Sequence, residues 1–412
     1  MKTYLKRDIT NYIFVFILIA LSGFPFFTSN LLFKPILLLS CLWALLIFTQ
    51  RKKKWNYFIL KYLLAFFIIT AGQLIIFSVF PVITVLGYTL RIFLAFCVIK
   101  IIGKFFVDYY IKIIYFFSVI SFFFFFSTLI YNDFERFFTS YITPFFDLPQ
   151  DASSFYGLSP NILIFNFNST LDRPGSVLIR NSGPFWEPGA FAGFTIVALI
   201  FSIIKTNKLF NRTNMVFMLA IITTFSTAGY VAFFLLVVSY SIQNVKSSYK
   251  YFIFPAIIIG SFYSYYNLEF LNSKINNDIE TVDASNTSNR FVSALTDIED
   301  IKKYWLFGRG FNEETRFDKS AGAGLDRHRN NGITALLVNT GVIVSFLYFF
   351  LIFKFLKRFC MLNDVNKYFA YSSLMVILTF GFAEGYFNRI LFIALTMLFF
   401  VFKEKIPLTK KL

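Results

Sequence analysis

The chain has 412 residues, of which 57% are hydrophobic, 22% aromatic and only 15% charged, with a net charge of +17 at pH 7. A soluble domain carries about 25% charged residues, so this balance, with its 62 phenylalanines, excludes a soluble globular protein and points to an integral membrane protein.

At about 20 apolar residues per crossing, the apolar runs predict twelve spans. In chain order they cover 11–28, 31–49, 57–79, 82–102, 110–131, 189–204, 214–226, 228–243, 251–267, 332–353, 368–384 and 388–402. The expected class is therefore an all-α integral membrane protein. The seventh and eighth runs flank "TFSTAGY" (Thr224–Tyr230) and together also suit one long broken helix. No small-residue cleavage site follows the first run, so a retained span is expected there and not a cleavable signal peptide. Cys41, Cys97 and Cys360 lie in or beside apolar runs, which leaves no disulfide framework or thiolate metal site.

The cations alternate from loop to loop. They collect in "MKTYLKR", "RKKK" (Arg51–Lys54), Lys100/Lys104/Lys112, Lys205/Lys208/Arg212, Lys246/Lys250, "KFLKR" with Lys367, and the Lys403–Lys411 tail. These segments hold more than half of the 39 basic residues, and Asp8, Asp108, Asp364 and Glu404 are their only acids. The positive-inside rule makes them cytoplasmic, together with both termini. The positive charge is thus a matter of topology, and no nucleic-acid partner is expected. The order that follows is 1–131 for spans one to five, 132–188 for a first outer loop, 189–267 for spans six to nine, 268–331 for a second outer loop, and 332–412 for the last three spans and a tail.

Loops longer than about 15 residues usually carry function or are disordered. In the second, Phe291, Leu295, Ile298, Ile301 and Trp305 recur at helical spacing, with Asp297, Glu299, Asp300, Lys302 and Lys303 on other faces. That predicts an amphipathic helix over 288–305 lying in the outer interface. "GRG" (Gly308–Gly310) ends it, with Gly308 as a left-handed cap.

Outer arginines run against the topological bias: Arg173, Arg180, Arg290, Arg309, Arg316, Arg327 and Arg329. Their planar forks suit phosphate oxygens. Arg309 and Arg316, taken singly, read instead as partners for acids of their own loop, and loss of Arg316 is expected to be mild. His328 stands between Arg327 and Arg329, which favours a neutral imidazole able to accept a proton from a sugar hydroxyl. A structural or solvated histidine is the alternative. One histidine without an acid pair makes a thin ligand set, so no metal and no cofactor is expected. Arg91 lies mid-span, where a charge costs about 2.5–3.5 kcal/mol on insertion scales, so a functional role is the default reading.

"RNSGPFWEPGAFAGF" (Arg180–Phe194), "SNRF" with "GRGF", and "RHRNNGITALLVNTGVIV" resemble signature regions of the O-antigen polymerase and O-antigen ligase superfamily. The resemblance covers roughly 180–345. It implies a multi-pass protein of the bacterial inner membrane that acts on undecaprenyl-diphosphate-linked glycans at the periplasmic face. Arg180, Gly183, Glu187 and Pro188 match the first motif. Arg290 matches the arginine opening the large-loop helix, Gly308 and Gly310 the turn after it, and His328 with Asn331 the His-Asn pair before a helix. Two places depart from the pattern: "STAGY" lacks the arginine found after the serine in relatives, and Arg329 and Asn330 interrupt the His-Asn pair.

On this resemblance the chain is expected to be a polysaccharide polymerase. Arg180, Arg290, Arg327, Arg91 and Asn331 would bind the diphosphate and glycan, and His328 first or Glu187 second would act as base. Membrane lipid and a chain-length regulator protein are the further expected partners. Other readings are a ligase with the same donor, a transporter of lipid-linked oligosaccharide, and an Arg180–Glu187 salt bridge that merely pins the loop. The topology is directly testable. Periplasmic reporters fused near Asp151 and near Asp318 should be active and one near Lys53 inactive; activity near Lys53 would overturn the map.

Overall fold

Helices form wherever the chain runs apolar without interruption, because a backbone in lipid has to satisfy its own polar groups. The structure is a computed structural model that describes residues 2–146, 160–167, 171–173, 176–244, 290–317 and 331–402. It is mostly helical. The first half contains α1 (Lys2–Gly23), α2 (Pro25–Thr28), α3 (Asn30–Gln50), α4 (Tyr57–Phe77), α5 (Val82–Ile102), α6 (Phe106–Ile130) and α7 (Asn132–Phe137). After the first long loop come α8 (Pro188–Thr206), α9 (Arg212–Thr223) and α10 (Thr227–Asn244). Further on are α11 (Arg290–Lys303), α12 (Glu313–Arg316), α13 (Gly332–Thr340), α14 (Val342–Leu362), α15 (Phe369–Ala383) and α16 (Ile390–Met397).

Four helical segments among the described residues are long and apolar enough to cross a membrane: Leu31–Gln50, Tyr57–Phe77, Val82–Ile130 and Pro188–Thr206. The third has 49 residues, about twice one crossing. Gly103, at φ +70°, breaks it into α5 and α6. Shorter apolar helices accompany these four, among them Asp8–Gly23, Phe369–Ala383 and Ile390–Phe400. Together they make an all-α, membrane-associated protein.

Contacts order the helix ends into two sets. At one end Tyr109 donates to Asp8, Lys205 pairs with Asp108, and Tyr240 donates to the Asn207 carbonyl at 2.8 Å. At the other, Gln73 donates to the Phe307 and Asn339 carbonyls at 2.7 and 3.0 Å, and Leu391 N donates to Ser22 at 2.8 Å. Basic loops therefore gather at one end and the long loops at the other. Of the four long segments α8 is the one wrapped nearly all round, 83% of its span being buried, whereas 28% and 22% of the α3 and α4 spans are. An all-round apolar, buried helix is the axis of a bundle, and the outward apolar faces of α3 and α4 suit lipid.

The structure differs from the predicted spans where packing intervenes. α9 and α10 are separate and antiparallel, joined at Thr224–Ser226 with Phe225 at φ +46°, so they are not one broken helix. The tenth span breaks at Gly341, at φ +78°, where Val342 N donates to the Trp305 carbonyl at 2.8 Å and a side chain on 341 would press to 2.2 Å on the Leu306 carbonyl. The ninth span, 251–267, lies outside the described residues. Within the described parts of the first long loop, β1 (Asn161–Ile162) pairs antiparallel with β2 (Phe165–Asn166), and β3 (Leu171–Arg173) with β4 (Ser176–Leu178). Phe165 stacks 4.9 Å from Phe124 of α6 and holds the first hairpin to the bundle.

The helix expected in the second loop is present as α11, over Arg290–Lys303. Leu295 and Ile298 point outward, as does Trp305 beyond its end, while Ser293, Ala294 and Asp297 face the protein. Buried Asp297 accepts from Arg316 at 2.7 Å and from Thr334 of α13 at 2.6 Å. Arg309 pairs with Asp300 at 2.6 Å. Both arginines therefore bind acids of their own loop. The mild effect expected for loss of Arg316 is corrected, since this guanidinium is buried between Asp297 and Asp300. Breaking a buried pair from one side costs about 3–5 kcal/mol. Asp297→Ala should accordingly lower the melting temperature of the solubilised protein sharply, while Leu295→Ala on the outward face leaves it near wild type; equal melting of the two would reject the staple.

Candidate functional site

The chain returns from the first loop through Arg180–Pro188, and the turn is built by side chains that the apolar pattern does not reveal. Asn181 is fully buried and donates to Ser121 at 2.9 Å and Thr223 at 3.0 Å, while accepting from Gly183 N at 3.0 Å. Asn166 of β2 donates to the Phe185 carbonyl at 2.8 Å. Gly183 sits at φ +51° against the Phe191 ring, where a β-carbon would come to 3.0 Å. Left-handed backbone and close approach both call for glycine there.

This turn delivers Glu187 to the N-cap position of α8, with Pro188 as the first helical residue. Proline suits that place because its missing N–H has no partner in the first turn anyway. The Glu187 carboxylate does not cap the helix, and its Oε1 is buried without a hydrogen-bond partner. A β-carbon on Gly189 would stand 3.5 Å from Glu187 Oε1, 3.5 Å from Glu384 Oε1 and 3.6 Å from Ser226 Oγ. Two carboxylates and a hydroxyl thus border one small space over the start of α8, where the helix dipole favours negative charge.

Arginines lie on or beside segments that form this space. Arg180 Nε donates to the Thr224 carbonyl at 3.1 Å, on the turn that carries Ser226. Arg389 lies 4.9 Å over the ring of Trp186, the neighbour of Glu187. Arg91 lies 4.5 Å over Tyr88 and 4.8 Å over Phe33, its Nε buried without a partner. Tyr88, under Arg91, stacks on Phe311 at 3.8 Å. Guanidinium groups stack readily on aromatic faces.

Asn331 approaches from another side. Its Oδ1 accepts from Ile333 N and Thr334 N, both at 3.1 Å, which caps α13. Its Nδ2 is buried with no partner. Gly332 beside it lies so near the end of α15 that a β-carbon would meet the Glu384 carbonyl at 2.1 Å.

The structure therefore sets Glu187 beside Glu384 and Ser226, with Arg180 on the Thr224 turn and the Asn331–Gly332 segment against the Glu384 carbonyl, while Arg91 lies on Tyr88 and Phe33. Gly308 and Gly310 serve elsewhere, at φ +69° and +88°, letting Arg309 N and Gly310 N donate to the Val338 and Asn339 carbonyls. Arg290 opens α11, but its side chain lies outside the described residues, as do Arg327 and His328. Among the described residues Glu187 makes no ion pair, so an Arg180–Glu187 staple is not what holds the loop. Sequence reasoning missed Glu384 and Arg389. The signal was "AEGYFNR" (Ala383–Arg389), an acid and an arginine in a loop too short to need either. No group of three or more metal-ligating side chains occurs among the described residues.

No protein-family profile matches the chain, and neither the curated proteins nor the solved structures contain a significant match. The site's own geometry is what remains to argue from. It separates two glycines sharply. Gly189→Ala adds a methyl at ordinary contact distance and should fold at near-normal membrane levels, whereas Gly332→Ala should accumulate several-fold less. Equal levels of the two proteins would refute this packing.

Proposed function

We propose that the chain is a polysaccharide polymerase of the bacterial inner membrane, crossing twelve times with both termini cytoplasmic. It would transfer an undecaprenyl-diphosphate-linked glycan onto the next lipid-linked repeat unit at the periplasmic face. The observation that carries this reading is the space over Gly189. Glu187 Oε1, buried without a hydrogen-bond partner, a second carboxylate and a hydroxyl meet there, with Arg180 on the neighbouring Thr224 turn and Arg389 on Trp186, at the end of the bundle away from the basic loops.

The chemistry needs placement more than activation. A sugar on diphosphate already has a good leaving group, so the C1–O bond to phosphate breaks as the acceptor hydroxyl attacks C1. Glu187 accepts the hydroxyl proton. Its orphaned Oε1 is the best-placed base among the described residues, and His328 remains the base implied by the resemblance. Arg180, with Arg389, Arg91 and Arg290, would hold the diphosphate and neutralise the charge that develops on it. Asn331 Nδ2, also unpartnered, offers a donor to the glycan. A chain-length regulator is a proposed partner.

Glycan ladders on a gel test the reading. Glu187→Gln, Arg180→Lys and Arg290→Lys should each shorten the ladder to single repeat units at near-normal protein levels, because lysine keeps the charge but loses the fork. The double change Arg180→Glu with Glu187→Arg should restore nothing. A normal ladder from these variants would reject the proposal, and loss of all attached glycan would assign a ligase instead.

A further inference from the structure

A second polar concavity lies at the opposite end of the bundle. Segments far apart in sequence build it: α1 at Asp8 and Asn11, the loop after α3, the Gly103 break with the start of α6, the connection between α8 and α9, and Val401. The cleft encloses about 1800 Å³. Its walls carry Lys53, Lys104, Lys112, Lys205, Lys208 and Arg212 against two acids, Asp8 and Asp108. Both acids are engaged, Asp8 by the Tyr109 hydroxyl and Asp108 by Lys205. Lys104, Lys208 and Arg212 are exposed and have no acidic partner among the described residues. Topology alone would place these cations on one side, but it does not require them to converge on one hollow.

The rim adds a second kind of surface. Phe105, within the cleft wall, is 64% exposed, and Phe210, between Lys208 and Arg212, is 66% exposed. Cations inside and bare aromatic rings at the edge complement an amphiphile with an anionic head. Basic pockets between membrane helices hold phosphorylated lipid head groups by the same complementarity. We propose that this cleft binds the phosphate head group of an anionic phospholipid, with the acyl chains lying along Phe105 and Phe210. The inference does not depend on the polymerase reading, since it concerns the other end of the molecule.

The test uses the full chain, delipidated in a neutral detergent and titrated with cardiolipin or phosphatidylcholine, with bound lipids counted by native mass spectrometry. Cardiolipin should be retained at least about tenfold better than phosphatidylcholine, since each cation near an anionic lipid adds appreciable attraction. The preference should fall severalfold in 0.5 M salt, because exposed charges are screened. The triple change Lys104→Gln, Lys208→Gln and Arg212→Gln should abolish the preference, while Lys302→Gln with Lys303→Gln on α11 leaves it intact. The salt arm needs only the wild-type protein, so retention indifferent to salt overturns the assignment even where the triple variant misfolds. Equal retention of the two lipids, a preference surviving the triple change in folded protein, displacement of cardiolipin by millimolar inorganic phosphate, or displacement by an acidic polypeptide would each overturn the assignment.

Discussion

Tyr386 reaches across the first turns of α8, where its hydroxyl donates to the Gly189 carbonyl at 2.8 Å. A β-carbon at 193 would strike that hydroxyl at 2.2 Å, so only glycine leaves room for the ring. The same ring packs on Phe380, Phe194 and Phe392, which locks the turn between α15 and α16 onto the central helix. Position follows from this single wedge. Glu384, two residues earlier, is held over Gly189, and Arg389, three later, is laid on Trp186. Without Tyr386 the two carboxylates would have no reason to meet, because they come from helices far apart in the chain.

The second outer loop uses its charges differently. Arg309 and Arg316 are spent on Asp300 and Asp297, and the pairs are buried, so they fix α11 to α13 at the level of the loop end. Burying ions is costly unless each is paired and hydrogen-bonded. Asp297 meets that condition with Thr334, and Arg309 with the Thr315 carbonyl at 2.7 Å. Gly308 and Gly341 let the two backbones touch where any side chain would intrude. An outer arginine is therefore no guide to a ligand until its partner is known; Arg180 rests on the Thr224 carbonyl and Arg389 on the Trp186 ring.

Hydropathy made most of the helices legible, because the demand to satisfy backbone polar groups in lipid is local to each apolar run. It could not reveal the break at Gly341, where "LLVNTGVIV" reads as one helix and the interruption comes from Trp305 and Leu306 packing on it. The opening motif was visible in Arg180, Glu187 and Pro188, residues that are out of place beside an apolar helix. Asn181 and Asn166, which shape that turn, look like ordinary loop residues. Glu384 escaped notice because the only local sign of it, an acid in the short "AEGYFNR" turn, does not reveal that Tyr386 folds that turn back over Gly189. Arg316 was misread as dispensable because exposure was assumed for a loop residue that is buried.

α8 joins the two polar ends of the molecule and explains how they coexist. Its 19 residues rise about 28 Å at 1.5 Å per residue, close to the thickness of a hydrocarbon core. Glu187 stands at its N-terminus and Lys205 in its last turn, paired with Asp108. Each charge opposes the partial charge of the helix end beside it, so the dipole is complemented at both termini. The arrangement puts carboxylates where backbone N–H groups point outward and cations where carbonyls do. A helix buried nearly all round cannot tilt or slide to relieve a mismatch, so the same packing that fixes Gly189 under Glu384 also fixes Lys205 at the mouth of the cationic cleft. The axis thus sets the separation between the proposed transfer site and the proposed lipid site.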